Sequence, residues 1–73
     1  MFTIEHEFDA TVVTLIDEGK EYLQPDVTVN AFEDCITLVQ YEKGTEKMQT
    51  VTLSMKQIQD LAASLNLPEG SYR

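Results

Sequence analysis

The sequence is poor in cysteine and in basic residues. Cys35 is the only cysteine among the 73 residues, so no disulfide forms within the chain. A lone cysteine at the start of an apolar run is typical of a reducing compartment, where it acts as a small hydrophobic side chain. Without disulfides, a single chain of this length has a small core, and self-association is the expected source of further burial.

Basic residues are also few. Thirteen carboxylates outnumber five Lys and Arg, which gives a net charge of −8. Nucleic-acid binding requires Lys and Arg to neutralise phosphates, and the five basic residues are scattered along the chain. Anionic membrane surfaces are disfavoured for the same reason. We therefore expect neither nucleic acid nor membrane as a partner, and a basic protein is the partner that such charge would suit.

Long apolar runs are also missing. The longest, Val12 to Ile16, is five residues and includes Thr14, far short of the about 18 residues that a membrane helix needs. The N-terminal residues have neither the basic nor the apolar region of a signal peptide. These features predict a cytoplasmic protein, and the length predicts one domain over residues 1–73.

Strict alternation marks the first part of the chain. Phe2, Ile4, His6 and Phe8 share one parity, and acidic residues and Thr3 occupy the other. The same parity continues to Ile16 without a Gly or Pro. This pattern favours one long strand with a bend or bulge near Asp9 and Ala10, and two separate strands are the alternative.

Three further strands follow a loop that ends near Pro25. Residues 26–32 and 35–42 alternate as strands around Glu33 and Asp34, which predicts a tight hairpin. A turn at 43–46 leads to a last strand at 49–53. Short connections between consecutive strands predict an antiparallel meander of four to five strands.

The C-terminal part predicts a helix. Ser54 and Gln57 have the spacing of a capping box, and the residues that follow carry an apolar stripe of Ile58, Leu61, Ala62 and Leu65. Pro68 and Gly70 end the pattern. The predicted fold class is α+β, a small antiparallel sheet with one C-terminal amphipathic helix packed on one face.

One helix cannot cover both faces of this sheet. The predicted core lies on one face of the sheet, beneath the apolar stripe of the helix. It comprises Phe2, Ile4, Phe8, Val27, Val29, Ala31, Ile36, Leu38, Val51 and Leu53. The opposite parity carries Phe32, Val39, Tyr41 and Met48, which we predict as the contact surface, because interface cores favour aromatic residues and Met. A curled first strand, a second copy or another protein would cover that second face.

No residue pattern predicts a catalytic, cofactor or metal site. His6, the only histidine, lies between apolar residues and suits a partly buried strand histidine better than an acid–base catalyst. Cys35 has no second histidine or basic cluster to activate a thiolate. The carboxylate groups lack the spacing of a calcium loop, and no glycine-rich phosphate loop is present.

The stretch from Tyr41 to Leu65, a hairpin, a last strand and the capped entry to a helix, resembles the single-stranded-DNA-binding transcriptional coactivators. Those proteins are small dimeric sheet-plus-helix domains, so the resemblance implies a similar architecture. The basic residues of a DNA-binding sheet are missing here, and aromatic residues for base stacking are few. The resemblance therefore does not extend to function.

These observations predict a non-enzymatic protein-interaction module, a homodimer with an acidic outer surface. Two alternatives remain. An acidic regulator that mimics nucleic acid would require Glu5, Glu7, Asp9, Asp17 and Glu18 to cluster on one surface. A small enzyme would require a cleft beside His6.

Overall fold

The computed structural model describes all 73 residues and contains five strands and one helix. The strands form one antiparallel meander in the order β1-β2-β3-β4-β5, which confirms the predicted α+β class. Their bounds are β1 Phe2–His6, β2 Thr11–Leu15, β3 Val27–Ala31, β4 Cys35–Tyr41 and β5 Met48–Ser54. Helix α1, Met55–Ser64, follows β5 directly and is too short to span a membrane.

The prediction of one long, bent first strand is wrong. A turn closed by the Glu7 N–H donating to the Ala10 carbonyl, at 2.8 Å, separates β1 from β2. Because this turn is four residues long, from Glu7 to Ala10, His6 pairs with Thr11 and Ile4 pairs with Val13. Residues paired across a ladder share a face, so the odd-numbered residues of β2 join the even-numbered residues of β1. Apolar Val13 and Leu15 thereby lie beside Ile4 and Phe2.

The β4–β5 hairpin turns where the sequence predicts it. Gly44 adopts a φ of +77°, a left-handed conformation that glycine adopts without steric cost. The Glu42 N–H donates to the Lys47 carbonyl at 2.9 Å, just beyond the Tyr41–Met48 pair that ends the ladder.

The capping box of α1 is confirmed. The Gln57 N–H donates to Ser54 Oγ at 3.1 Å, and the Ser54 N–H donates to Gln57 Oε1 at 3.0 Å. The two bonds satisfy donors that the first turn of a helix leaves unpaired, and such a cap is worth about 1 kcal/mol. They fix the direction in which α1 leaves the sheet.

The core is much smaller than the sequence predicts. Helix α1 contacts β4 and β5 and no other strand. Ile36 is the only buried residue of the chain, and Leu53 and Ile58 are the only half-buried residues of β5 and α1. Phe8, predicted to be in the core, lies in the first turn and is fully exposed. The helix therefore closes one corner of the sheet and leaves the remainder open.

Candidate functional site

The strand register assigns every strand residue to one of two faces. We call the first the apolar face: eleven of its fifteen residues are apolar, and none carries a carboxylate, Lys or Arg. It comprises Phe2, Ile4, His6, Thr11, Val13, Leu15, Val27, Val29, Ala31, Ile36, Leu38, Gln40, Gln49, Val51 and Leu53. Ile36 and Leu53, at the corner where α1 contacts β4 and β5, belong to it. The helix therefore packs on this face.

The opposite side is called the threonine face here, because six of its fourteen residues are threonine. It comprises Thr3, Glu5, Val12, Thr14, Thr28, Asn30, Cys35, Thr37, Val39, Tyr41, Met48, Thr50, Thr52 and Ser54. Threonine combines high β-propensity with a hydroxyl that hydrogen-bonds to water. This is the composition of a sheet face that tolerates solvent.

Much of the apolar face is open to solvent. Phe2 and Ile4 on the β1 edge are 63% and 53% exposed, and Val51 on the β5 edge is 52% exposed. Val13 and Val29, in the interior of the sheet, are only half-buried. The helix stripe borders this area, and its Leu61 is 50% exposed. The result is one continuous apolar surface that runs across the sheet to the helix.

The four residues predicted for contact do not form one group. Tyr41 lies directly opposite Met48, with Val39 two residues along β4 on the same face. Both Tyr41 and Met48 are more than half exposed. Phe32 lies just beyond β3, where its N–H donates to the Cys35 carbonyl at 2.9 Å, at the other end of β4. That end is about 20 Å from Tyr41 along the strand. An interface at these residues stays a prediction.

The first strand does not cover the threonine face. It pairs with β2 in the plane of the sheet through the full length Phe2–His6. Of the three ways to cover the second face, the curled first strand is therefore wrong. The reason is the turn at 7–10, which returns the chain alongside β1 and extends the sheet sideways.

His6 lies at the end of the apolar face, next to the first turn. Its Nδ1 is 3.1 Å from Thr11 Oγ1, its cross-strand neighbour, and the side chain is exposed. The structure contains no cleft beside it. A hydrogen bond to a paired threonine orients the ring within the strand pair and requires no substrate.

We expect His6→Gln to leave the domain folded and its binding almost unchanged, because His6 lies at the end of the apolar face and not in its interior. Glutamine retains a side chain that can reach the Thr11 hydroxyl, and position 6 contributes little burial. Circular dichroism and a binding measurement would test this, with Thr3→Gln as a control in the same strand. A loss of activity with the fold intact would instead assign a chemical role to His6.

The Cys35 thiol begins β4 on the threonine face and is half-buried. Its partial desolvation raises the pKa of the thiol, and the neighbouring Asp34 carboxylate adds to the rise. A raised pKa leaves little thiolate at neutral pH. The site therefore gives Cys35 no activation as a nucleophile.

The acidic side chains at the β1–β2 hairpin are spread along it. Glu7 and Asp9 lie in the turn at one end, whereas Asp17 and Glu18 follow β2 at the other. Five residues of strand, about 17 Å, separate the two pairs. Glu18 Oε2 lies 3.2 Å from the N-terminal ammonium group of Met1. The five carboxylates named for nucleic-acid mimicry thus do not form one cluster.

Asp17 organises the loop between β2 and β3. Its carboxylate accepts hydrogen bonds from the N–H groups of Gln24, at 3.0 Å, and Gly19, at 2.9 Å. These bonds hold the pKa of the Asp17 carboxyl below its usual value of 3.8. A depressed folded-state pKa stabilises the fold above the unfolded pKa, and the contribution is lost as the pH falls through the folded value.

We therefore expect Asp17→Asn to flatten the acid limb of the stability profile. The free energy of unfolding of the wild type should fall below a pH of about 4, and that of the variant should fall less. Urea titrations across this range would measure the difference. Glu21→Gln, which removes a charge from the same loop without either hydrogen bond, is the matched control. Identical profiles for wild type and Asp17→Asn would contradict the assignment.

Most of the chain matches a known protein family. Residues 3–64 match the family described as a domain of unknown function, DUF8831. They include α1 and all five strands apart from Phe2, the first residue of β1. The match covers most of the chain, which therefore belongs to that family. No curated protein and no solved structure matches the chain.

Proposed function

We propose that this DUF8831 domain is a non-enzymatic protein-interaction module that binds through its apolar face. The observation that carries the proposal is the exposure of that face, which includes Phe2, Ile4 and Val51, each more than half exposed. Monomeric proteins rarely leave a contiguous apolar area of more than a few hundred Å² in water, and larger areas mark interaction sites.

The distribution of polar groups also supports binding to a protein. The interior of the apolar face has no charged group that would require a counter-charge, and its four polar residues lie at the ends of strands: His6, Thr11, Gln40 and Gln49. An apolar centre with a polar rim is the usual composition of a protein interface. The single cysteine and the acidic exterior favour a cytoplasmic location for this module.

Photo-crosslinking tests the proposed function. The photoreactive residue p-benzoylphenylalanine would replace Ile4 on the apolar face, with the same replacement at Thr3 as the control on the threonine face. In extracts of the native host, we expect a discrete protein adduct from position 4 and none from position 3. Equal labelling from both positions, or no adduct from either, would contradict the proposal.

The acidic-regulator alternative receives less support. Residues 1–42 hold ten carboxylates and one lysine, and residues 43–73 hold three carboxylates and four Lys and Arg, so negative charge is concentrated in the part of the chain that contains the first four strands. Glu7 and Asp9 nevertheless lie at the opposite end of the β1–β2 hairpin from Asp17 and Glu18. Nucleic-acid mimicry would need them in a row at phosphate-like spacing.

A further inference from the structure

We infer that the apolar face is covered by a second copy of this chain, packed face to face. This inference rests on the proposed function and names its partner. Three features of the chain support it: the surface area that a single copy leaves exposed, the absence of charge on the apolar face, and the small core of the single copy.

The exposed area of one copy is far larger than its mass predicts. The accessible surface is 6326 Å² for a chain of 8.3 kDa. A folded monomer of this mass exposes about 4,600 Å², so the excess is about 1,700 Å². The radius of gyration is 14.1 Å, against about 11 Å for a compact domain of this length. The single copy has the surface of an incomplete globule.

The excess matches what a dimer buries. Obligate homodimers bury about 2,000–5,000 Å² in total, which is 1,000–2,500 Å² from each copy. Loops and the exposed residues after α1 account for part of the excess. Half of the excess area would still equal the area that each partner buries in a standard stable interface, about 800 Å². A face-to-face dimer therefore accounts for the area without a further component.

Each copy has a net charge of −8, but this charge does not oppose contact between two apolar faces. The apolar face has no carboxylate, because Glu5 lies on the threonine face and Glu7 and Asp9 lie in the turn. Two copies packed on this face would keep those groups in solvent. A symmetric contact also places the interior of the face, Val13 and Val29, against the same area of the partner.

Folding itself favours a second copy over a different protein. A chain with one buried residue has almost no core of its own. Burial of the apolar face would supply a second and larger core, between two sheets about 10 Å apart. A copy of the same chain is present whenever the protein is made, so its fold would not depend on another gene product.

Edge pairing is the competing arrangement of two copies. Strand β5 lies at an edge and carries no charge or proline, so two copies could join there into one larger sheet. Such a dimer would leave the apolar face exposed. Ile4 on β1 is four strands, about 19 Å, from β5, and a substitution there would not disturb β5 pairing.

Light scattering of the purified chain over a dilution series tests the inference. We expect twice the chain mass of 8.3 kDa for the wild type and for Thr3→Glu. Ile4→Glu should weaken the dimer at least a hundredfold, because it buries a carboxylate without a partner. Should Ile4→Glu fail to fold, Ile4→Thr keeps a β-branched residue and should weaken the dimer about tenfold through lost apolar contact.

Two results would overturn the inference. A dimer that Ile4→Glu and Ile4→Thr both leave unchanged would indicate pairing at β5 or contact through the threonine face. A monomeric wild type would indicate another occupant. In that case an adduct of position 4 with a different protein would retain the proposed function, and the absence of any adduct would remove both.

Discussion

Replacing Ile36 by alanine should unfold most of the protein. Ile36 is 6% exposed and lies at the corner where α1 contacts β4 and β5. Truncation of a buried isoleucine to alanine costs about 2–5 kcal/mol through lost apolar contact and an unfilled cavity. The stability expected from one core in a domain of this size is about 3–5 kcal/mol. The expected loss is therefore comparable with the whole free energy of unfolding of the domain.

Phe8→Ala is the matched control for that experiment. Phe8 is fully exposed in the first turn, so its removal should change stability by less than about 0.5 kcal/mol. Far-UV circular dichroism and urea unfolding at one fixed protein concentration would measure both variants. A small effect of Ile36→Ala, similar to that of Phe8→Ala, would show that α1 does not hold this corner of the sheet.

A hundredfold dilution should lower the free energy of unfolding by about 2.7 kcal/mol for each mole of dimer. Two copies that share the apolar face unfold and dissociate together, so their stability depends on protein concentration. The urea midpoint should fall steadily with dilution. In Ile4→Glu the midpoint should be low and independent of concentration, provided that the monomer folds. A wild-type midpoint that does not move would show that each copy is stable alone.

The local features of this fold are readable from the sequence. The capping box at Ser54 and Gln57 follows from spacing, and the turn at Gly44 follows from residue type. Both depend on hydrogen bonds between residues close in sequence. The meander follows from short connections between alternating segments. These features account for the correct prediction of the fold class.

The first turn was harder to predict because its residues are unremarkable. Glu7, Phe8, Asp9 and Ala10 include no Gly, Pro or Asn, and the apolar alternation continues across them. The length of the turn sets the register of β1 against β2. The register in turn decides whether the odd-numbered or the even-numbered residues of β2 share a face with Ile4. The odd-numbered pair Val13 and Leu15 was the available signal for two strands.

The extent of the covered surface could not be derived from apolar patterning. A ten-residue α1 is about 15 Å long, whereas five strands span about 19 Å between their outer axes and also extend along their length. Helix direction, set at Ser54, then decides which corner is covered. Parity correctly grouped Val29, Leu38 and Val51 on one face, but the sequence does not show that the helix reaches so few of them.

The most direct measurement is isotope-filtered NMR on a mixture of ¹³C-labelled and unlabelled chains. Cross-chain nuclear Overhauser effects report only contacts between two copies. We expect them from the methyl groups of Val13 and Val29 on the apolar face, and none from Val12 and Val39 on the threonine face. Cross-chain contacts from Val12 or Val39 alone, or none from any valine, would contradict a dimer formed through the apolar face.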